Sequence, residues 1–104
     1  MAKIAFDIDN TLMKWDREWK LQTPDFALIA VLNWFVGNGD DVIVWSGGGK
    51  DYADRTVEKL GLHGVRTVAP KGSEKVDIAF DDEMTSLGLV DVYIRRHDNR
   101  SWSQ

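Results

Sequence analysis

The chain has 104 residues, 43% hydrophobic and 29% charged, with a net charge of −4 and no cysteine. That length supports one core and not two, and the composition is that of a soluble globular domain. Disulfides, a thiol nucleophile and sulfur ligands for zinc are excluded, broad non-specific nucleic-acid binding is disfavoured, and no apolar run reaches the roughly 18 residues of a membrane span.

The opening stretch MAKIAFDID carries charge inside its apolar run and has no small-residue cleavage site. It is therefore not read as a signal peptide, and a cytoplasmic location is expected. KIAFDI (3–8) is the first expected strand, and its apolar run ends in Asp7 and Asp9. Unpaired aspartate is rarely buried, so these carboxylates either lie at a solvated strand end or share a counter-charge such as a metal ion. Residues 10–22 show no period and are expected to form a loop or small hairpin over the end of that strand.

Thr23-Pro24-Asp25 reads as a helix start, with Thr23 as N-cap, Pro24 at the first helical position and Asp25 in the first turn. The helix, 24–36, is apolar almost all round, so it is deeply buried or makes a contact between subunits. A homodimer through it is expected. DVIVWS (41–46) is strand two, DYADRTVEKL (51–60) a helix ended by Gly61, VRTVA (65–69) strand three and VDIAF (76–80) strand four. VDVYIR (90–95) alternates apolar with polar and reads as an edge strand. Strands alternating with helices predict an α/β fold: a three-layer, Rossmann-like domain with a mostly parallel sheet of about five strands between helices. The six residues between Ala69 and Val76 are short for a parallel crossover, yet an extended path spans a short strand.

In an open parallel sheet ligands bind at the carboxyl ends of the strands. Those ends carry Asp7 and Asp9, then Ser46 with Gly47-Gly48-Gly49, then Lys71, then Asp81 and Asp82. Clustered carboxylates cannot all stay ionised without a cation among them, and a hard divalent ion, Mg²⁺, meets that need. The Ser46 hydroxyl and the glycine-loop amides make an anion cradle, and Lys71 adds a point charge. An aspartate can attack phosphorus to give an acyl phosphate, and a second carboxylate two residues on can move the proton.

With these residues in order, DIDNTL resembles the first motif (DxDxT) of the haloacid dehalogenase superfamily, VIVWS its second, Lys71 its third and AFDDE its fourth, over residues 3–95. The resemblance implies a phosphatase with Asp7 as nucleophile and Asp9 as general acid/base. It implies Ser46 and Gly47 at the phosphate, Lys71 stabilising the intermediate, and a metal held by Asp7, the Asp9 carbonyl and Asp81 or Asp82. The alternative lysine is Lys75, which directly precedes strand four at the opposite edge of the sheet. About 35 residues separate Asp9 from Ser46 and seven separate Asp82 from Val90, which leaves no room for a cap domain. A single cap-less domain with an open site is therefore expected, suited to a nucleotide or a phosphate on a large molecule.

Competing readings are a nucleotidase or nucleic-acid end-processing phosphatase, and an idle binding module. A signalling receiver domain would need its acceptor aspartate where this chain has Val68-Ala69-Pro70. His63 and His97 are expected in solvated loops, Trp34 and Trp45 in the core, and Arg95, Arg96 and Arg100 at a solvated end, with a nucleic-acid site as the alternative. Trp15 and Trp19 either contact substrate, close the core or face a partner.

Overall fold

Five strands run parallel in one sheet, in the spatial order β5-β4-β1-β6-β7. The computed structural model describes residues 1–18 and 20–96. In chain order the elements are β1 (Lys3–Phe6), β2 (Met13–Trp15), β3 (Gln22–Pro24), α1 (Phe26–Gly37), β4 (Asp41–Trp45), α2 (Lys50–Leu60), β5 (Val65–Val68), β6 (Val76–Asp81) and β7 (Gly88–Tyr93). The domain is thus α/β and consistent with a Rossmann-like fold. β7 pairs with β6 and forms an edge, as its alternating sequence suggests.

Residues 10–22 contribute to a hairpin: β2 pairs antiparallel with β3, Met13 opposite Pro24 and Trp15 opposite Gln22. This corrects the expected helix start. Thr23 and Pro24 belong to β3, and Asp25 is the N-cap, its carboxylate accepting from the Leu28 amide at 3.0 Å. A carboxylate cap meets the positive end of the helix dipole, an advantage a threonine lacks.

Alternating side chains divide the sheet into two faces. Ile4, Phe6, Val42 and Val44 pack with Leu28 and Leu32 of α1 and with Ala53 of α2 in one cluster. Ala5, Ile43 and Trp45 pack with Val68, Ala79 and Leu87 in another, to which neither helix contributes. The expected sheet between helices is therefore corrected among the described residues, where both helices lie on one face. The handedness of crossovers explains it. The chain steps β1 to β4 to β5 in one direction, which places α1 and α2 on the same side. It then returns to β6 and β7 in the other direction, which puts those connections on the opposite face.

Both return connections, 69–75 and 82–87, are non-helical. They meet at Gly72, where an added Cβ would lie 3.2 Å from Leu87 Cδ2. Glu74 anchors the first to Lys3 at 3.1 Å and to Arg66 at 3.1 Å, near the amino edge of the sheet. Trp45 is fully buried on this face, as expected of it, but Trp34 is not core: it is 63% exposed on α1, as Phe26 is at 74%. Trp19, His97 and Arg100 lie outside the described residues.

Candidate active site

The turn after β1 is built by backbone hydrogen bonds. Thr11 and Met13 donate to the Ile8 carbonyl at 3.1 and 2.9 Å, and Leu12 donates to that of Asp7. Asn10 sits at φ 58°, a left-handed conformation that asparagine tolerates, and its side-chain oxygen accepts from the Trp15 amide at 3.2 Å. From the far end of the chain Arg96 reaches in. Its guanidinium donates to the carbonyls of Asn10 (2.9 Å) and Thr11 (2.7 Å) and pairs with Asp25 at 2.8 Å. Arg96 is thus a half-buried tie between the turn and the start of α1, which corrects its expected place in a solvated end. Arg95 and His63 are exposed.

Asp7, Asp9, Ser46, Gly47, Lys71 and Asp82 line one cavity of about 340 Å³, together with Asn10, Gly48 and Glu83. Asp81 is not among the residues that line it: it is almost wholly buried, behind Lys71. Lys71 Nζ stands 2.9 Å from Asp81 and 3.5 Å from Asp7 and from Glu83. Lys75 lines a different cleft, with Val76 and Asp77 at the other end of β6, so between the two lysines Lys71 is the one beside these carboxylates. Asp7 also accepts from the Thr11 hydroxyl at 3.3 Å.

One ammonium does not balance the carboxylates around it. Burial, and then the charge of Asp81, push the Asp7 carboxyl up to about 8. Burial likewise raises Asp82, to about 6, and the charge of Asp81 adds to that. Lys71 is held above its usual range because, although burial opposes its charge, Asp7 and Asp81 outweigh that. One oxygen from each of Asp7, Asp81 and Asp82 lies within 4.8 Å of the others. An all-oxygen set with excess negative charge fits a hard divalent cation. Asp9 stands apart: its carboxylate is not in that trio but accepts at Oδ1 from the Tyr52 hydroxyl (2.6 Å) and Gln22 Nε2 (2.9 Å).

The loop after β4 is partly self-satisfied. The Gly48 amide donates to Ser46 Oγ at 3.0 Å and the Gly49 amide to the Ser46 carbonyl at 3.2 Å. Those two are therefore not free for an anion, which narrows the expected cradle of glycine-loop amides. Having accepted from Gly48, the Ser46 hydroxyl can donate its proton, and the unpaired start of α2 adds a positive dipole end. Gly49 has a φ of 97°, which a side chain would strain.

Sequence reasoning missed Tyr52, Gln22 and Arg96. Tyr52 shares the helical stripe of the core residues Ala53 and Val57, and nothing local marks a contact with a residue 43 positions earlier. Trp15 lines a separate cleft, of about 370 Å³, with Lys14, Leu21, Arg95 and Arg96. No family model, no curated protein and no solved structure matches the chain. Among the described residues no helix is long and apolar enough to cross a membrane.

Proposed function

We propose that the chain is a cytoplasmic, Mg²⁺-dependent phosphomonoester hydrolase of haloacid-dehalogenase type, without a cap domain, acting through an aspartyl-phosphate. The observation that carries this reading is the convergence of Asp7, Ser46, Lys71 and Asp82, from separate strand ends, on one cavity. On this reading the third layer of the fold consists of the two short connections on the Trp45 face.

The residues take the following parts. Ser46 and Lys71 bind the phosphate oxygens, and Lys71 also holds Asp7 in place. The Asp7 carboxylate attacks phosphorus, the bond to the leaving oxygen breaks, and Asp9 gives that oxygen its proton. Asp9 then takes a proton from water as the water attacks phosphorus, which frees inorganic phosphate and restores Asp7. Asp7, Asp81, Asp82 and the Asp9 carbonyl would hold Mg²⁺, which supplies charge neutralisation for the carboxylates and the phosphoryl group. The test is phosphate release from an aryl phosphate, with and without Mg²⁺, by the wild type and by Asp7→Asn. Metal-dependent release by the wild type alone is expected; a wild type that neither turns over nor traps beryllofluoride would leave an idle binding module.

A narrower reading, a nucleotidase or nucleic-acid end-processing phosphatase, has its own support. Tyr52 and Gln22, which touch Asp9, also line a cleft of about 270 Å³ with the exposed cations Arg55 and Lys59. A leaving group on the Asp9 side would meet those charges, which suits an anionic one. Competition by 5′- and 3′-phosphorylated oligonucleotides against the aryl phosphate tests it, with loss of competition expected in an Arg55→Gln/Lys59→Gln double variant.

A further inference from the structure

Asp9 is exposed at the rim of the cavity, where an aspartate ordinarily turns freely in water. Here two donors from separate elements meet on one of its oxygens. Tyr52, from α2, donates at 2.6 Å and Gln22, from β3, at 2.9 Å, both to Oδ1. Among the described residues Oδ2 receives no hydrogen bond. We propose that Tyr52 and Gln22 are positioning residues that lock the Asp9 carboxylate through Oδ1, so that Oδ2 is the oxygen that exchanges a proton with the substrate. This rests on the phosphatase reading above, and it names how the acid/base of that site is held.

The surroundings of Tyr52 support the role. Its ring lies against the phosphate-side loop: a Cβ on Gly48 would stand 3.0 Å from Tyr52 Cδ2 and 3.4 Å from Cγ. Glycine at 48 is thus what lets the ring cross that loop and reach Asp9. Short hydrogen bonds to a carboxylate are among the stronger ones, and pre-ordering a proton-transfer group lowers the entropy cost of the reactive geometry. A contact that only stapled the hairpin to α2 would stabilise the fold without favouring any class of ester.

Leaving groups separate these possibilities. A nitrophenolate departs without help, whereas phenol and alkyl alcohols need a proton in the transition state. The experiment measures kcat/KM, which reports formation of the phosphoenzyme, on 4-nitrophenyl, phenyl and alkyl phosphates with Mg²⁺. The proteins are the wild type, Tyr52→Phe, Gln22→Leu, Asp9→Asn and the Tyr52→Phe/Asp9→Asn double variant. Tyr52→Phe is expected to lose about 10-fold or more on phenyl and alkyl phosphates but under about threefold on 4-nitrophenyl phosphate. Gln22→Leu should show the same pattern, weaker. The double variant should be no slower than Asp9→Asn, because both changes remove one function. Equal losses on all esters, no loss, or a gain on alkyl phosphates would overturn the assignment while leaving the phosphatase reading intact. A wild type inert on every ester would remove both.

Discussion

Asp7 is the residue on which opposing demands meet. It is buried beside Asp81 and Asp82, with a single ammonium among the three. A neutral amide of the same shape relieves that crowding. Asp7→Asn is therefore expected to abolish hydrolysis while leaving the thermal midpoint of the metal-free protein unchanged or a few degrees higher, read by calorimetry. Asp25 shows the reverse balance. Burial alone would raise its carboxyl, but the Leu28 amide and Arg96 outweigh it and hold it below its usual range. A carboxyl depressed in the folded state contributes stability that is fully present above its unfolded value, near 4, and is lost as pH falls through the lower folded one. Asp25→Asn keeps a capping side chain and loses the ion pair. It should cost about 1–2 kcal/mol at pH 7 and progressively less below pH 4, measured by urea unfolding at each pH.

At the scale of elements, sequence patterns located the five strands of the sheet and both helices to within one or two residues, because each strand is a short apolar run. Phe6 and Phe80 show how such runs meet: neighbours in register on β1 and β6, their rings stack 4.5 Å apart. Phe6→Ala should cost about 3–5 kcal/mol by chemical denaturation, since Phe6 is fully buried. What could not be read were contacts that leave no local trace. The hairpin strands are three residues long, too short for a period to show. Arg96 bonds to a carbonyl 86 positions away, and its neighbours form an ordinary charged tail in the sequence. The candidate site was more legible than the layering. Its carboxylates, Ser46 and Lys71 stand at strand ends, and the ends of parallel strands share one edge by construction. The side on which each connection crosses depends on the spatial order of the strands, which no local pattern encodes.

For the molecule as a whole, the outer face of α1 is the surface to explain. It exposes Phe26, Ala27, Ala30, Val31 and Trp34, and no charged residue stands between Phe26 and Gly39. A second copy is the occupant proposed for it. Small alanines between two aromatics allow two antiparallel α1 helices to set Phe26 of each against Trp34 of the other about a dyad, with opposed dipoles. Aromatic side chains bury about 150–250 Å² each, so Phe26 and Trp34 of both copies supply on the order of 600 Å², roughly a third to a half of a stable interface. Sedimentation should show a concentration-dependent dimer that Trp34→Lys converts to monomer; a clean wild-type monomer at high concentration would remove the idea.

The 69–75 connection has one more consequence, which is a matter of slack. Val68 is level with Trp45, one residue beyond the level shared by Val44, Phe6 and Phe80, and so is level with Asp81, five residues above the start of β6 at Val76. Three strand spacings sideways and five residues down make a straight line of about 22 Å, against about 26 Å for the extended chain. The spare length is about one residue. That length is what lifts the connection over the Trp45 face, so a deletion here would pull Lys71 from the carboxylates, whereas an inserted residue at the exposed Gly72–Ser73 turn would only deepen a bend. The reach of one ammonium is thereby set by the width of the sheet: the span serves as a ruler, fixed at the far end by Glu74.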